Sequence, residues 1–209
     1  MHAILFDFDR TLWDTDEGIY YCHKRVALEL GIQEYLSYEA YRKLLYLHWH
    51  EINERVGIPS SLWDTADQLF AKFLPEHIAD AKPFPGIEDI IPQLAERYKL
   101  AIVTTSFQHA IDPLLQKYHL CNFFQAIIDW HTKPHKPSPY PVYKALCALG
   151  IKNVHASIIG DSPSDVQAGK AAGLAQVYGA AWNTLSRTDL QKADAIFSAP
   201  SEMRTLTKP

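Results

Sequence analysis

What most constrains this chain is a set of short apolar runs, each the length of a strand, separated by longer amphipathic segments. The runs cover residues 3–6, 100–103, 126–128, 157–159 and 175–178, with a weaker one at 195–197. Most are rich in Ile or Val and show no polar alternation, so such strands must be buried on both faces. Helical patterns between them imply a parallel sheet covered by helices on each side, the doubly wound α/β class. The spacing breaks once, between the first run and the run at 100–103. One crossover helix, expected over 87–98 with Ile87, Ile90, Ile91 and Leu94 on one face, fills only the end of that gap.

The remainder of the gap has no convincing strand. Its pattern predicts three helices, near 16–30, 38–56 and 60–74. Gly31 ends the first, Gly57 to Pro59 the second and Pro75 the third. Pro83, Pro85 and Gly86 mark a hinge that returns the chain to the sheet. The expected organisation is therefore a discontinuous α/β core, residues 1–14 and 83–209, with a helical insertion at 15–82. The insertion is rich in rings, among them Tyr20, Tyr41, Tyr46, Trp49, Trp63 and Phe70, which suit the thin core of a small bundle. On the second helix, Arg42, Tyr46, Trp49 and Asn53 fall on one face. Tyr41, Leu45, Ile52 and Val56 fall on another, assigned to the core of the insertion.

Lys plus Arg total 20 against 24 for Asp plus Glu, a formal charge of −4, which leaves no basic excess to neutralise a nucleic-acid backbone. Three cysteines, Cys22, Cys121 and Cys147, are widely spaced and read as reduced thiols. Neither a signal peptide nor a membrane span is expected, so a cytoplasmic protein is expected.

Polar residues gather just beyond the apolar runs. Asp7-Phe8-Asp9-Arg10-Thr11 follows the first, Thr104-Thr105-Ser106 the second, and Asp161-Ser162-Pro163-Ser164-Asp165 the run that ends at Gly160; Lys136-Pro137-Ser138-Pro139 lies beyond Ile128. Open parallel sheets bind ligands at the carboxyl ends of their strands. Crowded carboxylates repel unless a cation sits among them, and a small oxygen-loving divalent ion such as Mg²⁺ fits this set. A divalent ion, a lysine and hydroxyl donors are what a transferring phosphoryl group needs, and a carboxylate can serve as the nucleophile. No GxxxxGK or GxGxxG loop is present.

Together these residues resemble the four motifs of the haloacid dehalogenase superfamily. Asp7-Phe8-Asp9-Arg10-Thr11-Leu12 is similar to its first motif, DxDx[TV], Thr104 to its second, Lys136 within KPxP to its third, and Gly160-Asp161 with Asp165 to its fourth, GDxxxD. The insertion lies where the family's C1-type helical caps lie. The resemblance implies a Rossmann-like three-layer core with an inserted helical cap. It also implies a Mg²⁺-dependent phosphatase of the phosphoglycolate and sugar-phosphate group, acting through an aspartyl-phosphate. Asp7 is then the nucleophile and Asp9 the acid and base. Mg²⁺ is held by Asp7, Asp9 through its backbone carbonyl, and Asp161, with Asp165 acting directly or through water. Thr104, Thr105 and Lys136 bind the phosphoryl group, and Arg42 is a candidate for a second anionic group on a small phosphorylated substrate. Lys136 is preferred to Lys133 as the third-motif lysine. A capping box from Ser164 to Gln167 offers Asp165 a structural alternative.

The second aspartate, Asp9, separates the chain from dehalogenases proper and phosphonatases, and Ile19 stands where β-phosphoglucomutase-like members carry His. Arg10 stands where the family usually has Gly, a bulky cation placed to shape the substrate. Thr11-Leu12-Trp13 also occurs in some 5′-nucleotidases of the superfamily, which keeps that activity as the alternative. A catalytically silent phospho-binding member is the non-enzymatic one.

Overall fold

The structure, a computed structural model, describes residues 2–183 and 190–206. Six parallel strands form its main sheet: β1 (His2–Phe6), β4 (Tyr98–Val103), β5 (Phe124–Ile128), β6 (Ala156–Gly160), β7 (Gln176–Ala180) and β8 (Ala195–Phe197). Their order across the sheet is β5-β4-β1-β6-β7-β8. Each coincides with an expected apolar run, with bounds that differ by a residue or two. Two further strands, β2 (Trp13–Asp14) and β3 (Lys82–Pro83), pair antiparallel as a short ribbon. This ribbon was not expected from the sequence, because two residues carry no periodicity.

Side chains alternate across the sheet. Ala3, Leu5, Ala101, Val103, Ala156 and Ile158 enter one core with Val142, Ala145, Leu146 and Leu149 of α7 (Tyr140–Leu149) and Val166 and Ala168 of α8 (Pro163–Ala171). The intervening Ile4, Phe6, Leu100, Ile102 and Ile159 are equally buried and point the opposite way. α5 (Ile87–Ala95) packs on β4, and its Ile87, Ile90, Ile91 and Leu94 are buried as the pattern predicts. α6 (Gln108–Lys117) buries Ala110, Ile111, Leu114 and Leu115. This is the expected three-layer α/β fold. α5 stops at Ala95, short of residue 98, because Tyr98 already belongs to β4.

The chain divides into two compact units, one of residues Met1–Asp14 and Lys82–Pro209, the other Thr15–Ala81. The second contains α1 (Asp16–Glu29), α2 (Tyr38–Arg42), α3 (Trp49–Arg55) and α4 (Trp63–Ile78). α1 runs as expected, but the single helix expected over 38–56 is two. Between them Leu44, Leu45 and Leu47 donate to carbonyls three residues back, and the chain restarts at His48, whose backbone N–H donates to Glu51 Oε2 at 3.1 Å. Arg42, Tyr46, Trp49 and Asn53 therefore share no helical face. Of the residues assigned to the core, Tyr41, Ile52 and Val56 are buried and Leu45 is half-buried. Pro75 does not end α4. The helix continues to Ile78, because Phe70, Phe73, Leu74 and Ile78 form one buried stripe whose packing outweighs the lost backbone hydrogen bond.

A polar cluster sits inside this unit. His23, fully buried, meets Tyr41 Oη through Nδ1 and Asn53 Oδ1 through Nε2, each at 2.9 Å. Trp49 packs against its ring at 4.5 Å. Burial pushes the imidazole down to about 4, against the opposing hydrogen bond that Nε2 donates to Asn53 Oδ1, so His23 is neutral near pH 7. The three cysteines are free thiols, Cys22 buried and Cys121 and Cys147 exposed. Among the described residues no helix is long and apolar enough to cross a membrane.

Candidate active site

β1 lies between β4 and β6, and in register Phe6 faces Ile102 on one side and Ile159 on the other. The three strands therefore end nearly level, and the next residues of each emerge at one edge of the sheet. Asp7 follows β1 and its backbone N–H donates to Ile159 O at 2.9 Å. Thr104 follows β4, anchored by its own N–H on Ile128 O at 2.9 Å. Asp161 follows β6. This is the edge, beyond the carboxyl ends of the strands, that the topology favours for a ligand.

Lys136 comes from the loop between β5 and α7. Its Nζ has three protons and places all three: on Asp7 Oδ1 at 2.7 Å, Asp165 Oδ1 at 2.6 Å and Val103 O at 2.8 Å. Burial alone would push this ammonium down. The carboxylates of Asp165 and Asp7 outweigh it and hold Lys136 above its ordinary range. Lys133 lies instead near the ring of Trp130, at 5.5 Å.

Asp165 has two jobs in this arrangement. Ser162 is the N-cap of α8: its Oγ accepts from Asp165 N at 3.3 Å, while Asp165 Oδ2 accepts from Ser162 N at 3.1 Å. The capping box thus starts two residues before the one expected at Ser164. Asp165 spends Oδ2 on the cap and Oδ1 on Lys136. Asp165 is therefore both part of the cap of α8 and a partner of Lys136. Gly160 makes room for it: a Cβ there would lie 2.3 Å from Asp165 Cγ.

The loop after β1 is a tight coil. N–H groups of Thr11, Leu12 and Trp13 converge on Phe8 O, and Arg10 N donates to Trp13 O at 2.7 Å. Arg10 adopts a left-handed backbone, φ 62°, a conformation that disfavours any residue with a Cβ. Its side chain is buried and its Nε donates to Asp161 Oδ2 at 2.7 Å. The sequence marked Arg10 as a cation near the site; its partner was not legible, because 151 positions of chain separate the two and no local pattern joins them. Asp9 is half-buried on the same coil.

Asp7, Asp161 and Asp165 each offer a carboxylate oxygen within 4.8 Å of the others, and all three residues are buried. Burial raises Asp7 well above the ordinary carboxylate range; Lys136 opposes this, and Asp165, Asp161 and Asp9 add to it. Burial also pushes Asp161 up to about 6, against the pull of Arg10. Such a cluster has an electrostatic demand for a further cation. Asp161 Oδ1 is buried without a hydrogen-bond partner, which marks where the demand is unmet. An all-oxygen donor set of this kind fits a hard divalent ion.

Thr104 is buried and its Oγ1 accepts from Ser106 N at 3.0 Å, whereas Thr105 is exposed. Arg42 belongs to the helical unit, where its Nε donates to Asp16 Oδ2 at 3.4 Å.

The sequence pattern of the haloacid dehalogenase-like hydrolases matches residues 4–178, which takes in Asp7, Thr104, Lys136, Asp161 and Asp165. The chain belongs to this family. Among curated relatives, a phosphoglycolate phosphatase of Aquifex aeolicus is 30% identical over 206 residues, covering 97% of this chain and 95% of its own. Pyrophosphatase PpaX of Anoxybacillus flavithermus is 35% identical over 116 residues, 54% of each chain. The fold recurs in solved structures. CbbY from Rhodobacter sphaeroides, in complex with phosphate, superposes with a TM-score of 0.82 over 97% of this chain and 96% of its own, at 24% identity. A haloacid dehalogenase-like family protein from Streptococcus pneumoniae gives 0.84 over 98% and 97%, also at 24% identity.

Proposed function

We propose that this haloacid dehalogenase-like hydrolase is a Mg²⁺-dependent phosphatase that removes phosphate from a small phosphorylated metabolite, of the phosphoglycolate or sugar-phosphate type. The observation that carries the reading is Asp7, buried at the end of the central strand and pinned by Lys136 through one oxygen only. The full-length similarity to a phosphoglycolate phosphatase supports the substrate class.

Asp7, Asp161 and the backbone carbonyl of Asp9 would hold Mg²⁺, with Asp165 steadying the set from its place on Lys136 and Ser162. When bound, the ion supplies Lewis acidity, drawing charge from the phosphoryl oxygens and relieving repulsion among the carboxylates. The remaining work falls to the chain. Lys136 fixes Oδ1 of Asp7, so Oδ2 is presented to phosphorus. That oxygen forms the new P–O bond as the bond to the leaving oxygen breaks, giving an aspartyl-phosphate on Asp7. Asp9 gives its proton to the leaving oxygen. It then takes a proton from the water that attacks phosphorus, and the bond to Asp7 breaks to release phosphate. Thr104 Oγ1 already accepts from Ser106 N, so its own proton is available to a phosphoryl oxygen. Lys136 sits where negative charge accumulates in the transfer.

The test is phosphate release from a panel of small phosphate esters, pyrophosphate and nucleotides, with and without Mg²⁺, with Asp7→Asn as control. Release that requires both Mg²⁺ and Asp7 and favours phosphoglycolate or sugar phosphates supports the reading. A clear preference for nucleotides replaces the substrate class, and no release from folded protein overturns the activity.

A further inference from the structure

The position of Arg10 has a cost and a consequence. A residue with a Cβ at φ 62° is strained where Gly would not be. The side chain nonetheless turns inward, is buried, and places Nε on Asp161 Oδ2 at 2.7 Å. With Lys136 on Asp7 and Asp165, each of the three clustered carboxylates has a cationic partner from the chain itself. The guanidinium cannot shed its proton to make way for another cation, as an imidazole or an amine can.

A divalent ion that used the open Oδ1 of Asp161 would share one carboxylate with Arg10. Two effects then oppose each other. Fixing Oδ2 orients Asp161 and favours the ion; the neighbouring positive charge repels it and withdraws electron density from its ligand. Losing a partner behind a metal ligand typically costs about 10- to 100-fold in affinity, and behind a ligating His that partner is an acceptor which raises the ligand's basicity. A guanidinium does the reverse, and at one carboxylate's distance inside a buried site its repulsion is weakly screened. The charge effect therefore exceeds the orienting one.

We propose that Arg10 is a resident counter-cation: it keeps the carboxylate cluster assembled without metal and holds the divalent-metal affinity of the site down. The inference rests on the reading of this cluster as the metal site of a phosphatase. It makes Arg10 a positioning residue whose charge sets metal occupancy. Loading then depends on a high concentration of free metal, or on the arrival of a phosphoryl dianion that offsets the extra positive charge.

The experiment is titration with Mn²⁺, free ion read by electron paramagnetic resonance, on the full chain and on Arg10→Gly, Arg10→Gln and Arg10→Lys. Arg10→Gly removes charge and backbone strain together. Arg10→Gln keeps the strain and removes the charge, so it serves if the glycine variant alters the loop. Binding about tenfold or more tighter in Arg10→Gly and Arg10→Gln, and near the parent value in Arg10→Lys, supports the proposal. Saturable binding that is unchanged or weaker in Arg10→Gln overturns it and leaves Arg10 an orienting clamp. No saturable binding by any folded form overturns both this proposal and the metal reading beneath it. Phosphate release that persists under chelation would overturn the metal reading independently, without any binding measurement.

Discussion

Lys136 is the residue on which the site's electrostatics turn, since three buried carboxylates face two buried cations. Replacing it by Met leaves Asp7 and Asp165 buried without their ammonium. Removing one member of a buried charge cluster costs about 3 kcal/mol or more. Lys136→Met is expected to lower the denaturant midpoint accordingly, with Mg²⁺ recovering part of the loss. Phosphate release should fall by at least ~100-fold, as when one stabilising donor of a transition state is lost. Unchanged stability without metal would mean that the carboxylates do not share their charge through this lysine. That Asp7, Thr104 and Asp161 gather at one edge was legible in the sequence, because each directly follows an apolar run and such runs end at one edge of a parallel sheet. Pairings across distant loops were not. Arg10 with Asp161 depends on how loops converge in space, whereas Ser162 rather than Ser164 as the cap is a local choice between two serines, three residues and one residue before Asp165.

At the scale of elements, the junction of β6 and α8 is where fold and site meet. A methyl on Gly160 would collide with the Asp165 carboxyl, and overpacking of this kind costs about 1–3 kcal/mol. Gly160→Ala should lose stability in that range and lose phosphate release with it. Full activity in this variant would contradict the packing of Asp165 against the strand end. The helical unit holds a second testable element. His23 is held at about 4 against an ordinary value of 6.5, so the unfolded chain binds the extra proton between those limits. Stability is fully present above pH 6.5 and falls as pH drops toward 4, by up to roughly 3 kcal/mol. Tryptophan fluorescence during urea unfolding would follow it, and His23→Gln should flatten the profile in that window. The core strands were readable as continuous apolar runs, and α5 by its helical periodicity. The helix break after Arg42 and the passage of α4 through Pro75 were not. There, local signals yielded to packing of Tyr41, Ile52 and the stripe from Phe70 to Ile78.

At the scale of the whole molecule, the helical unit enters and leaves through one ribbon, Asp14 paired with Lys82. Its ends are therefore adjacent strand neighbours. The groups gathered at the sheet edge, Asp7, Thr104, Lys136 and Asp161, all belong to the other unit. Replacing residues 15–81 with a short Gly-Ser linker should leave a folded α/β core that still binds Mg²⁺, read by circular dichroism and a metal-induced rise in Tm. An unfolded product would show that the core depends on the insertion. Covalent transfer to Asp7 is the step from which every other assignment at the site follows, and trapping the intermediate tests it most directly. Enzyme mixed with its best substrate and Mg²⁺ is quenched in acid within the first turnover and reduced with borohydride, which converts an acyl phosphate to an alcohol. Mass mapping is predicted to find homoserine at position 7, absent without substrate and absent in Asp7→Asn. Rapid phosphate release with Asp7 unmodified, or turnover retained by Asp7→Asn, would contradict a covalent route through Asp7.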